Sequence, residues 1–258
     1  MARDVTSAYL ASGAKLLSWL VVSGAVYRLV GAEAFAVVIF VRATIGILNY
    51  VSVGLAPAMV RMLAEARQPR QAFGVRQVYA NGVTWALLAA LVGAAVVAGY
   101  LGWFESYGPL ATDGGQGRAL VALFGLAALL RLISDAPSAV LQTAGRITAD
   151  NLLLVLAEVA WAVGAVVLLA SGASWGWAVG GPYVASALVL LLGRFAWAGA
   201  HLPPAGEDVL SAPMAMDWPV LRRLFGLGVL IMLAQLADYL YAPTDYILIN
   251  WLLDERLI

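Results

Sequence analysis

Residues 151–171 read NLLLVLAEVAWAVGAVVLLAS, and this stretch decides the fold class. Every residue in it is uncharged except Glu158. An α-helix of about 20 predominantly apolar residues crosses the hydrocarbon core of a bilayer, which is about 30 Å thick. The stretch therefore predicts a transmembrane helix with one ionisable group inside it.

Apolar stretches of similar length lie on both sides of this one. Hydrophobic residues make up 63% of the chain and charged residues 12%, against roughly 25% charged residues in soluble domains. Lipid leaves no water for unpaired backbone groups, and the alternating strands of a membrane barrel are absent. We predict an all-α integral membrane protein with about seven transmembrane helices. The spans are residues 8–27, 35–60, 78–102, 119–143, 151–171, 175–199 and 224–251.

The overall charge balance and the cysteine content exclude several kinds of site. Lys plus Arg and Asp plus Glu number 15 each, and the chain has no cysteine. No global basic field favours nucleic acid, and thiolate metal sites and disulfides are impossible. We expect no nucleic-acid partner, no metal site and no cofactor.

The arginines are distributed unevenly between the two sides of the predicted bundle. The connections after spans one, three and five, with the C-terminal tail, hold Arg28, Arg118 and Arg256. Cytoplasmic segments are rich in Lys and Arg, which predicts a cytoplasmic N-terminus. The N-terminus and the other connections hold Arg3, Arg61, Arg67, Arg70, Arg76, Arg146, Arg194, Arg222 and Arg223.

A connection rich in proline divides the chain into unequal parts. Residues 201–221 contain four prolines, which is typical of a linker. Trp218 is expected at headgroup depth, with Arg222 and Arg223 facing lipid phosphate. We predict a six-helix N-terminal membrane lobe over residues 1–200 and a cytoplasmic linker with an interfacial segment over 201–221. Residues 222–258 are predicted to form the first helix of a second, truncated lobe.

Four segments, taken in order and spacing, resemble one known superfamily of exporters. They are LVGAEAF (29–35), GLAPAMVRMLAE (54–65), LQTAGR (141–146) and TDYILI (244–249). In these segments the chain is similar to the multidrug/oligosaccharidyl-lipid/polysaccharide exporter superfamily, especially its polysaccharide-type flippases. The resemblance covers nearly the whole chain.

This resemblance implies both an architecture and a substrate. It implies two six-helix lobes around a cavity that opens alternately to either side, of which this chain supplies one lobe plus one helix. The implied substrate is an oligosaccharide linked to polyprenyl diphosphate, moved across the cytoplasmic membrane for surface polysaccharide biosynthesis. Membrane lipids and polysaccharide assembly proteins are the other partners it implies, and no enzymatic activity is expected.

Ionisable residues within the predicted spans are the candidate site residues. Each costs at least about 2.5–3.5 kcal/mol to insert at a helix centre, so it is a functional hypothesis by default. So many ionisable residues within the spans indicate that the interior of the bundle is accessible to water. They are Lys15, Arg42, Arg131, Asp135, Glu158, Asp238 and, nearer the outer end of its helix, Asp245.

The cationic candidates on the first two helices suit an anionic group. Lys15 shares a helical stripe with Trp19, and Arg42 shares one with Asn49. Directed into a cavity, Lys15 and Arg42 would bind a diphosphate, the arginine through paired donors. Alternatively, Lys15 extends towards the cytoplasmic headgroups, since it lies near the helix start.

The acidic candidates allow pairing or ion coupling. Arg131 and Asp135 are four residues apart, so they can pair within one helix, either lining the cavity or joining helices. Glu158 is expected to pair with Lys15 or Arg131, and an unpaired carboxylate there would take up a proton and could couple transport to protons. Asp238 lies near Pro243, and broken helices with acids mark sites in transporters.

Three classes of function are compatible with these residues. The first is the lipid-linked oligosaccharide flippase, with Lys15, Arg42 and Arg131 contacting the diphosphate. The second is a cation-coupled multidrug exporter of the same superfamily, with Glu158 or Asp238 as the coupling acid. The third is a membrane glycosyltransferase or polymerase, but no loop presents converging catalytic groups.

Gly176 and Gly180 form a pair of small residues four apart in the sixth span. Such pairs allow close approach of two helices in a membrane. We predict a helix contact there.

Overall fold

The computed structural model describes residues 2–46, 48, 54–68, 73–107, 115–202 and 216–234, and this part of the chain is all-helical. The prediction of an all-α fold is confirmed. A further helical stretch covers residues 218–234. The other helices are α1 (Ala2–Leu29), α2 (Ala32–Ile45), α3 (Leu55–Ala66), α4 (Val75–Tyr107), α5 (Gln116–Ile133), α6 (Asp135–Thr143), α7 (Ile147–Ala170) and α8 (Trp175–His201).

Five helices in the described part of the chain are long and apolar enough to cross a membrane. They coincide with predicted spans one, three, four, five and six. One of them joins α5 and α6 through Ser134. The helices are Arg3–Leu29, Val75–Gly102, Gln116–Thr143, Ile147–Ala170 and Trp175–His201.

The second predicted span, residues 35–60, differs from the structure because it falls on two helices. At 1.5 Å per residue, α2 and α3 are only about 21 and 18 Å long. Gly54 precedes α3 with a φ of 62°, a left-handed conformation that glycine adopts without steric cost. Pro57 lies in the first turn of α3, where its missing N–H leaves no helical hydrogen bond unmade. Gly54 and Pro57 therefore mark the start of a new helix, although the apolar residues of the sequence continue without a break.

Close contacts at glycines give the directions of the central helices. Gly125 of α5 packs against Val97 of α4, and Gly93 of α4 packs against Leu129 of α5, so these two helices are antiparallel. Helix α8 contacts both α5 and α7. It therefore connects these two helices.

Helix α1 runs parallel to α7, and their N-terminal ends lie side by side. Thr148 donates a hydrogen bond to the Asp4 carboxylate at 3.0 Å. Asn151 donates one to Ser7 at 2.9 Å. The two partners are 144 positions apart in both pairs, as expected for parallel helices.

Two hydrophobic clusters fill the bundle, one towards each end. The first joins α1 and α2 to neighbouring ends of α4, α5, α7 and α8. The second joins α3 and α6 to the opposite ends of α4 and α8 and to residues 218–234. Along α5, Arg131 lies between Phe124 of the first cluster and Leu132 of the second. Arg131 therefore lies where the two clusters meet.

The predicted glycine contact is confirmed between α5 and α8. A Cβ at Gly176 would collide with the backbone carbonyl of Gln116, and one at Gly180 would lie 2.7 Å from the Leu123 Cβ. The Gly176 N–H also donates to the Gln116 side chain at 3.1 Å. Both glycines are thus needed for the close approach of the two helices.

Gly176→Ala is expected to lower stability by about 1–3 kcal/mol, as overpacking of a dense contact commonly does. The midpoint of denaturation in a mixed detergent titration measures this effect. Gly181→Ala is the matched control on the same helix, because a Cβ there meets nothing within 4 Å. Equal midpoints for the two variants would contradict the contact.

The helical stretch 218–234 packs against α3 and α4. Val220 and Leu224 belong to the second hydrophobic cluster. Arg223, predicted to face lipid phosphate, forms an ion pair of 2.7 Å with Glu65 of α3 and is 46% exposed. Trp218 is 71% exposed, which is compatible with its predicted headgroup depth. Since residues 203–215 and 235–258 lie outside the described part, the domain boundaries remain predictions.

Candidate functional site

A buried ion pair lies between the two hydrophobic clusters and joins α5 to α7. Arg131 Nη1 lies 2.6 Å from Glu158 Oε1, and the two side chains are 17% and 0% exposed. Arg131 was one of the two partners expected for Glu158. Removing two charges from solvent costs several kcal/mol per ion. The attraction between Arg131 and Glu158 offsets this cost, so the pairing makes their burial possible.

Four aromatic rings from four helices form a cluster that contacts this ion pair through Tyr183. Trp161 of α7 lies 4.6 Å from Trp19 of α1 and 4.8 Å from Tyr183 of α8, measured between ring centroids. Phe124 of α5 completes the group at 4.8 Å from Tyr183. The indole N–H of Trp161 donates to the Val179 carbonyl at 3.0 Å, which fixes that ring.

Arg131 and a second arginine, Arg42 of α2, stack on these rings. The Arg42 guanidinium lies 4.0 Å above Trp19, and that of Arg131 lies 4.5 Å from the Tyr183 centroid. Cation–π contacts of this kind strengthen when the groups are removed from water. They hold both planar guanidinium groups in defined orientations beside Glu158.

We call Arg42, Arg131 and Glu158, with the four aromatic rings, the central charged site. Arg131 pairs with Glu158 and Arg42 lies within electrostatic range of it, so the site carries one excess positive charge. Within the described part of the chain, Arg131 Nε and Nη2 and Glu158 Oε2 are buried without a hydrogen-bond partner. Buried polar atoms are nearly always hydrogen-bonded. The unused nitrogens of Arg131 and the excess charge together suit an anionic group.

A second charged network joins α5, α6, α7 and α8 beyond the central charged site. Arg194 donates to Asp150 at 2.7 Å and to Ser134 at 2.8 Å. Ser138 donates to the other Asp150 oxygen at 2.6 Å, and Gln142 donates to Ser138 at 3.1 Å. Each Asp150 oxygen has a donor, so this network is typical of structural packing.

The predicted site residues fall into three groups. Arg42, Arg131 and Glu158 come together in the central charged site. Asp135 makes no ion pair with Arg131, which binds Glu158 instead, and lies within electrostatic range of Arg194 and Asp150. Lys15 is exposed on α1, whereas Asn49, Asp238 and Asp245 lie outside the described residues.

Sequence reasoning missed Asp150 and the structural role of Arg194. Asp150 was one residue outside a predicted span, and Arg194 was counted only with the arginines that indicate orientation. The stripe that Ser138 and Gln142 share with Arg131 was a usable signal, because buried hydroxyl and amide groups need partners on a neighbouring helix.

Within the described residues, no group of three or more His, Asp or Glu side chains is placed to hold a metal ion. Comparisons with known proteins assign the chain to no family. No family model, no curated protein and no solved structure matches the chain.

Proposed function

We propose that the protein is a flippase that moves a polyprenyl-diphosphate-linked oligosaccharide across the cytoplasmic membrane by alternating access. The central charged site is the observation that carries this proposal. Ionisable groups inside a membrane bundle are costly and typically mark the pathway of a polar substrate. Here they combine an excess positive charge with unused arginine donors.

The chemistry of the two arginines favours a diphosphate. A guanidinium group is planar, and its N–H donors match the oxygens of phosphate in pairs. Arg131 has two buried nitrogens without a hydrogen-bond partner, and opening of the site during alternating access would expose them for such bonds. Arg42 contributes the charge that Glu158 does not balance, since Glu158 already pairs with Arg131.

We place the N-terminus on the cytoplasmic side, in a lobe of six transmembrane helices followed by a seventh. In support, the start of α1, the start of α7 and the end of α8 meet at one end of the bundle. Thr148 donates a hydrogen bond to Asp4 there, and Arg146 donates one to His201. Arg3, in the first turn of α1, and Arg146, directly before α7, lie at this end. An arginine-rich end is typical of the cytoplasmic side.

A cation-coupled multidrug exporter is the second candidate. Glu158 is fully buried, and aromatic faces attract organic cations. However, the Trp19 and Tyr183 faces already carry guanidinium groups. The anionic substrate is therefore better supported by the charge of this site.

Transport by the full-length protein in lipid vesicles separates the two functions. We expect the protein to move a fluorescent lipid-linked diphosphate oligosaccharide between leaflets and not to export a fluorescent lipophilic cation. Protein-free vesicles and Arg61→Gln protein are the controls, because Arg61 forms an exposed ion pair away from the site. Cation export without lipid flipping would overturn the proposal, and cation export unaffected by Asp238→Asn would count against a coupling role for that acid.

A further inference from the structure

A long groove between the parallel helices α1 and α7 lies on the outside of the bundle. Its volume is about 1180 Å³, and it extends along α1 from Arg3 to Val21. At 1.5 Å per residue this is about 27 Å, close to the roughly 30 Å of a hydrocarbon core. The groove is therefore nearly as long as a hydrocarbon core is thick.

One end of this groove is polar, and the rest is apolar. The end formed by the first two turns of the two helices is lined by Arg3, Thr6, Ser7, Thr148 and Asn151. Beyond them the lining consists almost entirely of aliphatic side chains from both helices. This gradient matches the division of a membrane lipid into headgroup and chain.

The charge at the polar end favours an anionic headgroup. Arg3 is exposed and forms no ion pair with the described residues. Neither of the two nearby acids lines the groove, whereas Arg3 does. Asp4 accepts a hydrogen bond from Thr148, and Asp150 is paired with Arg194. The parallel N-termini of α1 and α7 add a partial positive charge.

The walls of the groove favour a lipid chain over a protein partner. Leu10, Leu17, Val163 and Val167 are 63%, 62%, 57% and 60% exposed, so this face contacts hydrocarbon if the helices span a bilayer. Gly13 widens the groove, because a Cβ there would meet nothing within 4 Å. A flexible chain can follow such a narrow channel.

We infer that the groove between α1 and α7 binds one anionic phospholipid, with its phosphate at Arg3 and a chain beside Gly13. The site is distinct from the central charged site. Its floor includes Ser18 and Ala162, the neighbours of Trp19 and Trp161. A bound lipid therefore supports the helix turns that position those rings, and the inference does not depend on what the protein transports.

Lipid titration of the purified full-length protein tests this site. Intrinsic fluorescence or native mass spectrometry would follow binding of phosphatidylglycerol, with phosphatidylcholine as the neutral comparison. Gly13→Leu is expected to weaken phosphatidylglycerol binding by about tenfold, since displacing about two methylene groups corresponds to that factor. Gly24→Leu is the matched control, because Gly24 lies on the same helix with open space around it and does not line the groove.

Arg3→Gln is expected to abolish the preference for phosphatidylglycerol over phosphatidylcholine while chain binding persists. Equal binding by the Gly13→Leu and Gly24→Leu proteins, or no preference for the anionic lipid in the unaltered protein, would overturn the inference. A photoactivatable phosphatidylglycerol provides a test that needs no variant. Labelling should map to α1 and α7 peptides, whereas labelling elsewhere, or protein-to-protein cross-links at this face, would refute it.

Discussion

Arg42→Ala is expected to reduce flipping of the lipid-linked oligosaccharide by about 10- to 100-fold while membrane insertion remains normal. A hydrogen bond to a charged group contributes about 1.5–3 kcal/mol, and each 1.4 kcal/mol is a factor of ten. Arg42 stacks on Trp19 and forms no ion pair with the described residues. Its removal therefore takes away the excess positive charge without leaving a buried acid unpaired.

Two further variants make the Arg42 result specific. Arg42→Lys keeps the charge but loses the planar pair of donors, so we expect an intermediate rate. Arg61→Gln should transport normally, because that arginine lies on an exposed surface. Surface polysaccharide export in cells and flipping in vesicles provide two independent measurements. Normal rates for Arg42→Ala would refute the contact with the diphosphate.

Glu158→Gln is expected to destabilise the protein by about 3–5 kcal/mol, because it leaves the Arg131 charge buried without its partner. Glu158 is fully buried, and Arg131 is only 17% exposed. Equilibrium unfolding in mixed detergent would measure the loss. Glu65→Gln is the control on a partly exposed ion pair with Arg223, and such pairs contribute at most about 1 kcal/mol.

A double variant separates charge pairing from packing. Arg131→Met combined with Glu158→Leu removes both charges, and we expect it to regain most of the stability lost in Glu158→Gln. Replacing both members of a buried ion pair by hydrophobic residues of similar volume is often close to neutral. The double variant should remain inactive in flipping because Arg131 is a proposed diphosphate contact. If the single and double variants were equally unstable, the pairing would not be the cause.

The sequence by itself determined the helical class and five helices that are long and apolar enough to cross a membrane. A run of apolar residues near 20 long is a local property, and a helix satisfies its backbone hydrogen bonds within that run. The glycines at the contact between α5 and α8 were also predictable, since small residues four apart allow close approach. The ionisable groups inside the spans could likewise be read from single stretches such as residues 151–171.

Only the tertiary structure decided which of these charged groups meet. Arg131 could pair with Asp135 on its own helix, yet it binds Glu158, 27 positions further along the chain. Lys15 and Trp19 share a predicted stripe, but the packing of α1 buries Trp19 and leaves Lys15 exposed. Partner choice depends on the rotation and depth of each helix. Those are set by side-chain packing between segments far apart in sequence, which no local pattern contains.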